Sequence, residues 1–483
     1  MKPRRITILL VFLVLIPAAG IIYLIGTPEL RDVSPAAGAT HIDNQAPLRL
    51  VFSRRMDTQS IRRHLTIDPP LSGEFSWQGS TLLFTPNEPW PSGKTITVNL
   101  VPGTRAAGWL SLPLQEHVSW SFTIRQPRLV YLYPAGEAAN LYILNPETQV
   151  GEALTDIPAG VLDFDVSPDG KSIYYSVNNL QGGTSIYRLE NFDTPSDDAT
   201  QAASQPGSTL ILACTRATCR TPKISPQGNF LAYERTAFLG GQEPTYTRVW
   251  LLPLGDNPSP APGQALASQS QARLAGREGE QTMLPEWSPE GWLSIYNNTL
   301  AAFTLLNPVD GQAVQFANDT GQPGSWNPDG NAFVAPEISF IEPGDPQRTG
   351  LESIANSHLI RFNRQDGSEQ DLSQAENLED ASPAYAPDGS TLAFTRKYLD
   401  IAHWTPGRQL WTMNADSSDV RQLTDDPFYH HYALAWKPGG EQLAYVRFNQ
   451  TVLTDPPEIW VINPETAQAN RLIVGGYAPQ WIP

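Results

Sequence analysis

Cysteine is almost missing: two residues in 483 cannot build a disulfide framework or a zinc cluster. Basic residues are also scarce, 32 Lys and Arg against 49 Asp and Glu, for a formal net charge of −17. That balance leaves no basic footprint for nucleic acid. Charged residues of both signs make up only 17%, below the usual quarter. Motifs of catalysis are lacking too: there is no Gly-x-Ser-x-Gly elbow, His-Glu-x-x-His, P-loop or Gly-x-Gly-x-x-Gly. What abounds is proline (44), glycine (36) and aromatic side chains, with 13 Trp, 16 Tyr and 17 Phe. The first two imply many turns, and the aromatics supply core material that a disordered chain lacks. A length of 483 also exceeds one ordinary core. The chain is therefore an acidic, turn-rich β protein of more than one domain.

One long apolar run stands out. Lys2, Arg4 and Arg5 precede an uncharged stretch from Ile6 to Pro28. Such a run spans a bilayer as a helix, with the basic cluster on the cytoplasmic side. Residues 1–30 are expected to be a cytoplasmic stub and a signal anchor, with residues 6–26 in the membrane. A cleaved signal peptide, with Ala18-Ala19-Gly20 as the small-residue site, is the alternative. Either way the bulk lies outside the cytoplasm, which places the protein in a cell envelope of bacterial type. Setting aside Lys2, Arg4, Arg5 and Glu29 leaves 29 basic and 48 acidic residues, a balance of −19. In that oxidising setting Cys214 and Cys219 are expected to close a small disulfide loop.

Residues 31–126 read as short alternating strands, clearest at Leu48–Phe52, Thr81–Phe84, Thr95–Leu100 and Val118–Ile124. This spacing suits a β-sandwich. The phrases Val33-Ser34-Pro35-Ala36-Ala37-Gly38-Ala39, Leu50-Val51-Phe52-Ser53 with Met56-Asp57, and Leu83-Phe84-Thr85-Pro86 occur in order. With Trp120-Ser121-Phe122-Thr123 they resemble the SbsA-type bacterial Ig-like domain, which implies a spacer or adhesion module. Arg54, Arg55, Arg62 and Arg63 form a basic cluster here. A solvated face is the favoured reading, and contact with acidic lipid headgroups or envelope polymers the other.

Beyond residue 128 one phrase repeats, and repeats decide the architecture. It appears as Val166-Ser167-Pro168-Asp169-Gly170, Ile224-Ser225-Pro226-Gln227-Gly228, Trp287-Ser288-Pro289-Glu290-Gly291 and Trp326-Asn327-Pro328-Asp329-Gly330. It returns as Tyr385-Ala386-Pro387-Asp388-Gly389 and Trp436-Lys437-Pro438-Gly439-Gly440, then truncated as Trp481-Ile482-Pro483. Pro presets one turn residue and Gly supplies the left-handed one. A strand follows each copy, then a second strand, a turn and a third, which makes a four-stranded blade. The phrases resemble the WD-like repeat of TolB and of the non-catalytic domain of prolyl oligopeptidase relatives. That resemblance implies a β-propeller over residues 128–483.

The blade count is expected to be seven. Leu129–Leu132, Leu141–Leu144 and Glu152–Thr155 look like the last three strands of a blade whose first strand is missing. Ala478–Trp481 looks like a first strand lacking the rest, and joining the two covers both edges. TolB has six blades, so seven is a departure. The fold class is thus all-β: a transmembrane helix, an Ig-like sandwich, and a seven-bladed propeller with a composite closing blade.

Function is less legible. Loops joining second to third and fourth to first strands share one face, and long loops on a rigid scaffold gather binding residues. Candidate partner-binding residues there are Tyr246, Phe340, Lys397, Tyr398, His403, Trp404, Asp425 and Asp426, with Phe238, Glu342, Asp345, Arg396 and Asp380 nearby. Aromatics among charges suit a protein, peptide or envelope glycan. Soft insertions at Asn191–Ser208 and Asp256–Gln271 extend the opposite face. His430 and His431 are adjacent strand residues, so both cannot ligate one ion. No catalytic residue, metal ligand or cofactor is assigned. The leading expectation is a non-catalytic, membrane-anchored binding protein. A channel hydrolase or lyase with an unrecognised carboxylate site and a purely structural envelope component are the alternatives.

Overall fold

The computed structural model describes residues 27–482, apart from 41, 43, 45, 109, 110, 181, 191, 193–206, 239–244, 256–271 and 341–354. The expected membrane anchor at residues 6–26 therefore lies outside the described residues. Among the described residues no helix is long and apolar enough to cross a membrane. The chain divides into two compact units after Pro127.

The first unit pairs a four-stranded and a three-stranded antiparallel sheet. The larger runs in the order Leu30–Ser34, Leu48–Phe52, Thr81–Pro86, Gly73–Gln78, and the smaller Leu65–Asp68, Thr95–Leu100, Val118–Thr123. Period-2 alternation builds the interior: Ile96, Val98 and Leu100 are buried from one strand, Leu82 and Phe84 from another. They pack with Leu50, Phe52, Trp90, Trp120 and Phe122. The segment after Met56, read from sequence as part of the strand pattern, is instead a helix, α1 (Thr58–His64). Asp57 caps it by accepting from Ser60 N at 2.7 Å, and Ile61 is its buried residue.

In the second unit the described strands form five four-stranded sheets and one eight-stranded sheet. Seven strands lie innermost: β1 (Val161–Val166), β2 (Ala217–Ile224), β3 (Thr282–Trp287), β4 (Ser325–Trp326), β5 (Leu378–Tyr385), β6 (Tyr429–Trp436) and β7 (Tyr477–Ile482). Three further antiparallel strands follow each of the first six. β7 has none after it and pairs with Arg128–Tyr133, so its sheet joins strands more than 300 residues apart in sequence. The repeated turns have Gly170, Gly228, Gly291, Gly330, Gly389 and Gly440 all at positive φ, the conformation the Pro-Asp-Gly phrase anticipates.

Hydrogen bonds connect each inner strand to the next in a closed circuit. Trp287, Trp326, Trp436 and Trp481 donate their indole N–H to the carbonyls of Lys223, Glu286, Ala384 and Ala435 on the preceding strand, at 2.9–3.2 Å. Where the tryptophan position holds Ile224, Tyr385 or Val166, the backbone N–H donates instead. Its acceptor is a side chain of the preceding strand: Asp165, Ser325 or Gln480, at 3.0–3.3 Å. Either the tryptophan or a polar residue on the neighbour makes the link. Cys214 and Cys219 are joined by a disulfide, and both are buried.

Candidate functional site

The connections between second and third strands, and between fourth strands and the next inner strand, form one face of the second unit. Among the described residues beyond 127, eleven of fourteen exposed large apolar side chains lie in these connections or, as Tyr133 and Val474 do, end a strand that leads into one. Val309 and Val420 lie on the other connections, and Val150 begins the strand that follows one. Exposed apolar area is ordinary when scattered, but this bias to one face is not scatter.

Five of the eleven gather on the neighbouring β5 and β6 sheets: Ile401, Trp404, Phe428, Val452 and Leu453. Ile401 is 99% exposed and Trp404 54%. Backbone bonds hold their connections side by side. Gly407 N donates to Pro427 O at 3.4 Å, and Gln450 N to Phe428 O at 2.8 Å.

Lys397 and Tyr398, expected on a loop, end the strand Thr391–Tyr398. The Lys397 ammonium stands 4.9 Å from the Trp404 ring, and Tyr398 packs on His403 at 5.6 Å between ring centres. His403 Nδ1 lies 2.8 Å from Asp400 Oδ1. Lys397, Tyr398, His403 and Trp404 are thus one cluster. Asp425 is exposed, whereas Asp426 is engaged: its Oδ2 accepts from Arg447 Nη1 at 2.7 Å. Arg447 is held between the rings of Tyr429 and Trp460, at 4.1 and 4.0 Å.

Tyr246 is exposed but belongs to the β2 sheet, three sheets away around the circuit. Phe340 ends the strand Ala332–Phe340, and its side chain, with Glu342 and Asp345, lies outside the described residues. The soft insertions at 193–206 and 256–271 are outside them too, while Gly207 and Ser208 begin the strand Gly207–Cys214. Arg396 and Asp380 correct a sequence expectation. Neither is a loop residue: they form a buried ion pair inside the β5 sheet, with Nε to Oδ1 and Nη2 to Oδ2 both at 2.7 Å.

His430 and His431 support this face from below. Burial, with Arg408 nearby, pushes His430 down to about 4; burial does the same to His431, whose Nδ1 lies 2.8 Å from Arg408 O. Between the ordinary value of 6.5 and about 4 the unfolded chain takes up protons that the folded one refuses. Their contribution to stability is therefore present above pH 6.5 and lost as pH falls through that window. A His431→Gln variant should show a shallower fall of Tm across it. An unchanged slope would exclude His431 as a source of the acid sensitivity.

A second location escaped the sequence reading. Along the axis of the circuit lies an open cavity of about 880 Å³ lined by all seven inner strands. Counting back three residues from the Pro of each repeat phrase gives Asp165, Lys223, Glu286, Ser325, Ala384, Ala435 and Gln480, all at its wall. The first three form a chain of charge: Lys223 Nζ is 3.5 Å from Asp165 Oδ1 and 2.7 Å from Glu286 Oε2. Burial pushes the Asp165 carboxyl up to about 6 against the pull of Lys223. Burial alone would lower Lys223, but Glu286 and then Asp165 outweigh it and hold the ammonium above its usual range. The signal in the sequence was a charged residue at one repeat position in three successive copies. Among the described residues no group of three His, Cys, Asp or Glu is placed to hold a metal ion.

No curated protein matches the chain. Among solved structures it resembles a puromycin hydrolase at 13% identity, over 71% of this chain and 52% of that one, with a TM-score of 0.50; this likeness concerns the fold alone. TolB from Acinetobacter baumannii is similar at 12% identity, over 95% of this chain and 99% of that one, TM-score 0.42. An oligogalacturonate lyase from Vibrio parahaemolyticus is similar at 18%, over 56% and 70%, TM-score 0.40. For the first unit the comparison is of sequence: residues 26–124 match the family model of the bacterial Ig-like domain.

Proposed function

We propose that this is a membrane-anchored envelope protein whose second unit, a seven-bladed propeller closed by a composite blade, binds a protein or peptide without catalysis. The observation that carries the reading is the concentration of exposed apolar and aromatic side chains on one face, densest at Ile401, Trp404, Phe428, Val452 and Leu453. Aromatic anchors surrounded by charged groups are the usual composition of a protein-recognition patch. The anchor at residues 6–26, the SbsA-type subclass of the sandwich and the Pro-Asp-Gly repeat type belong to the same reading.

Photo-crosslinking residues placed at Ile401 and Trp404, and at Val150 and Val309 at the other connections, test it in membranes of the source cell. The same discrete adduct is expected from the first pair and not the second, and Trp404→Ala should weaken capture about tenfold or more. Equal yields from both faces would sink the choice of face.

The axial cavity supports a second reading, a hydrolase or lyase acting through Asp165, Lys223 and Glu286. A carboxyl held at about 6 beside an open cavity is suited to proton transfer. Asp165 also has a structural task, since its Oδ2 accepts from Ile224 N. For that reason the binding reading ranks first.

A further inference from the structure

The basic cluster of the first unit has a position that its sequence spacing did not show. Glu29 and Ser53 are joined by two hydrogen bonds: Ser53 N donates to Glu29 O at 2.8 Å, and Glu29 N to Ser53 Oγ at 3.0 Å. Leu30 pairs with Phe52. Arg31, Arg54 and Arg55 therefore sit where the chain enters the sandwich, directly after the apolar run.

Arg62 and Arg63 reach the same end by another route. They lie in the last turn of α1, where a helix favours cations, and Val101 N donates to the carbonyl of the next residue, His64. Arg105 joins them, its carbonyl accepting from Asp57 N at 2.9 Å. The chain leaves the sandwich at the opposite end, where Arg125 N donates to Ile42 O and Gly38 N to Ser121 O.

The cluster is also held outward. The Arg55 guanidinium stands 5.7 Å from the Trp77 ring, and that of Arg62 4.9 Å from the Phe75 ring. Arg55, Arg62 and Arg63 are exposed, and among the described residues none has a carboxylate at ion-pair distance. Of the carboxylates near this end, Asp57 is engaged as the cap of α1, and Asp32, next to Arg31, pairs with Arg49 at 3.2 Å. Six arginines, Arg31, Arg54, Arg55, Arg62, Arg63 and Arg105, thus gather at the entry end.

We propose that this end of the sandwich is a docking surface for anionic lipid headgroups, held against the membrane by the apolar segment that precedes it. The inference rests on the anchor reading for residues 6–26. Arginine suits the partner, since its planar fork pairs with phosphate oxygens in two bonds and its weak hydration makes desolvation easier than for lysine. The rings of Trp77 and Phe75 restrict two of the side chains before contact, which lowers the entropy lost on binding. Proximity matters as much as charge. A tether of a few residues keeps the arginines within a Debye length, about 8 Å at physiological salt, of the headgroups.

The full chain in nanodiscs tests this. Arginine labelling by phenylglyoxal is compared between phosphatidylcholine discs and discs that also contain phosphatidylglycerol. Arg49, which pairs with Asp32 at 3.2 Å, is the internal reference. Labelling of Arg55, Arg62 and Arg63 should slow by about fivefold or more in the anionic discs, and high salt should abolish the difference. Equal rates in both discs, with the chain inserted, overturn the surface but leave the anchor intact. A chain that does not enter the discs overturns the anchor; labelling beside anionic vesicles then reads the surface alone, and equal rates overturn it as well. Slowing by added poly(glycerol phosphate) in phosphatidylcholine discs, with none from phosphatidylglycerol, would assign the arginines to an envelope polymer and overturn the lipid assignment.

Discussion

A chain shortened to Gly476 is expected to lose the cooperative melt of its second unit. The deletion removes β7 and with it the whole pairing to Arg128–Tyr133, from Tyr477 opposite Leu132 to Ile482 opposite Arg128. Two separate hydrophobic clusters lose a member each, Ile482 from one and Trp481 from the other, both buried. Two links of the circuit also go: the Trp481 indole bond to Ala435 O and the Val166 bond to Gln480 Oε1. Truncating one buried tryptophan to alanine costs about 3–5 kcal/mol, against a total stability of about 5–15 kcal/mol for a typical domain. Losing the strand should exceed the single substitution, so Trp481→Ala serves as the graded version. Denaturant melts followed by near-UV circular dichroism measure both. An unshifted midpoint in the shortened chain would show that the seam carries little of the ring's stability.

The second large effect is expected at the pair Arg396 and Asp380. Asp380 is fully buried and Arg396 is 5% exposed. Asp380 also accepts from Ser373 Oγ at 2.6 Å, and its carbonyl accepts from Ser357 Oγ. The guanidinium lies 5.0 Å from the Phe394 ring and 5.3 Å from that of Trp411. Arg396→Met would leave a buried carboxylate without its cation, a loss of about 3–5 kcal/mol. Replacing both partners by apolar residues should recover most of that, because two desolvated charges cost nearly as much as they return. A double-mutant cycle gives the coupling directly. Near-zero coupling would mean that the surrounding hydroxyls and rings satisfy either charge alone.

Turns were the most legible part of this sequence, because proline and glycine act on the residues that carry them. The Pro-Asp-Gly phrases set the register of the innermost strands, and the missing first strand before Leu129 pointed to pairing with the chain's last strand. The helix at Thr58–His64 was hidden, since seven residues are too few for a periodic pattern and Asp57 was its only local mark. Arg396 and Asp380 were legible as charges but not as partners: they lie 16 residues apart, and only the register of two paired strands brings them face to face. The candidate site divided in the same way. Trp404, Lys397, Tyr398 and His403 are close in sequence and proved close in space, whereas Tyr246 shares only the face with them. The contribution of Phe428, Val452 and Leu453 went unseen because it depends on two loops of neighbouring sheets lying side by side. Asp165, Lys223 and Glu286 were missed for a different reason. Each looks like an ordinary strand residue until the repeats are aligned and the same position is compared across them.

The closing strand also has a kinetic meaning. The sheets whose strands are consecutive can zip up through local hairpins as soon as those strands are available. The sheet that joins Arg128–Tyr133 to Tyr477–Ile482 cannot, since its partners are separated by almost the whole unit. Long-range pairing of this kind gains no contact energy until a large loop has closed, and it slows folding. The ring should therefore assemble as an open arc whose two ends carry unpaired edges, and close last. Until then both edges are exposed to other chains, so for this protein the interval between making the arc and sealing it is the period of greatest risk of aggregation.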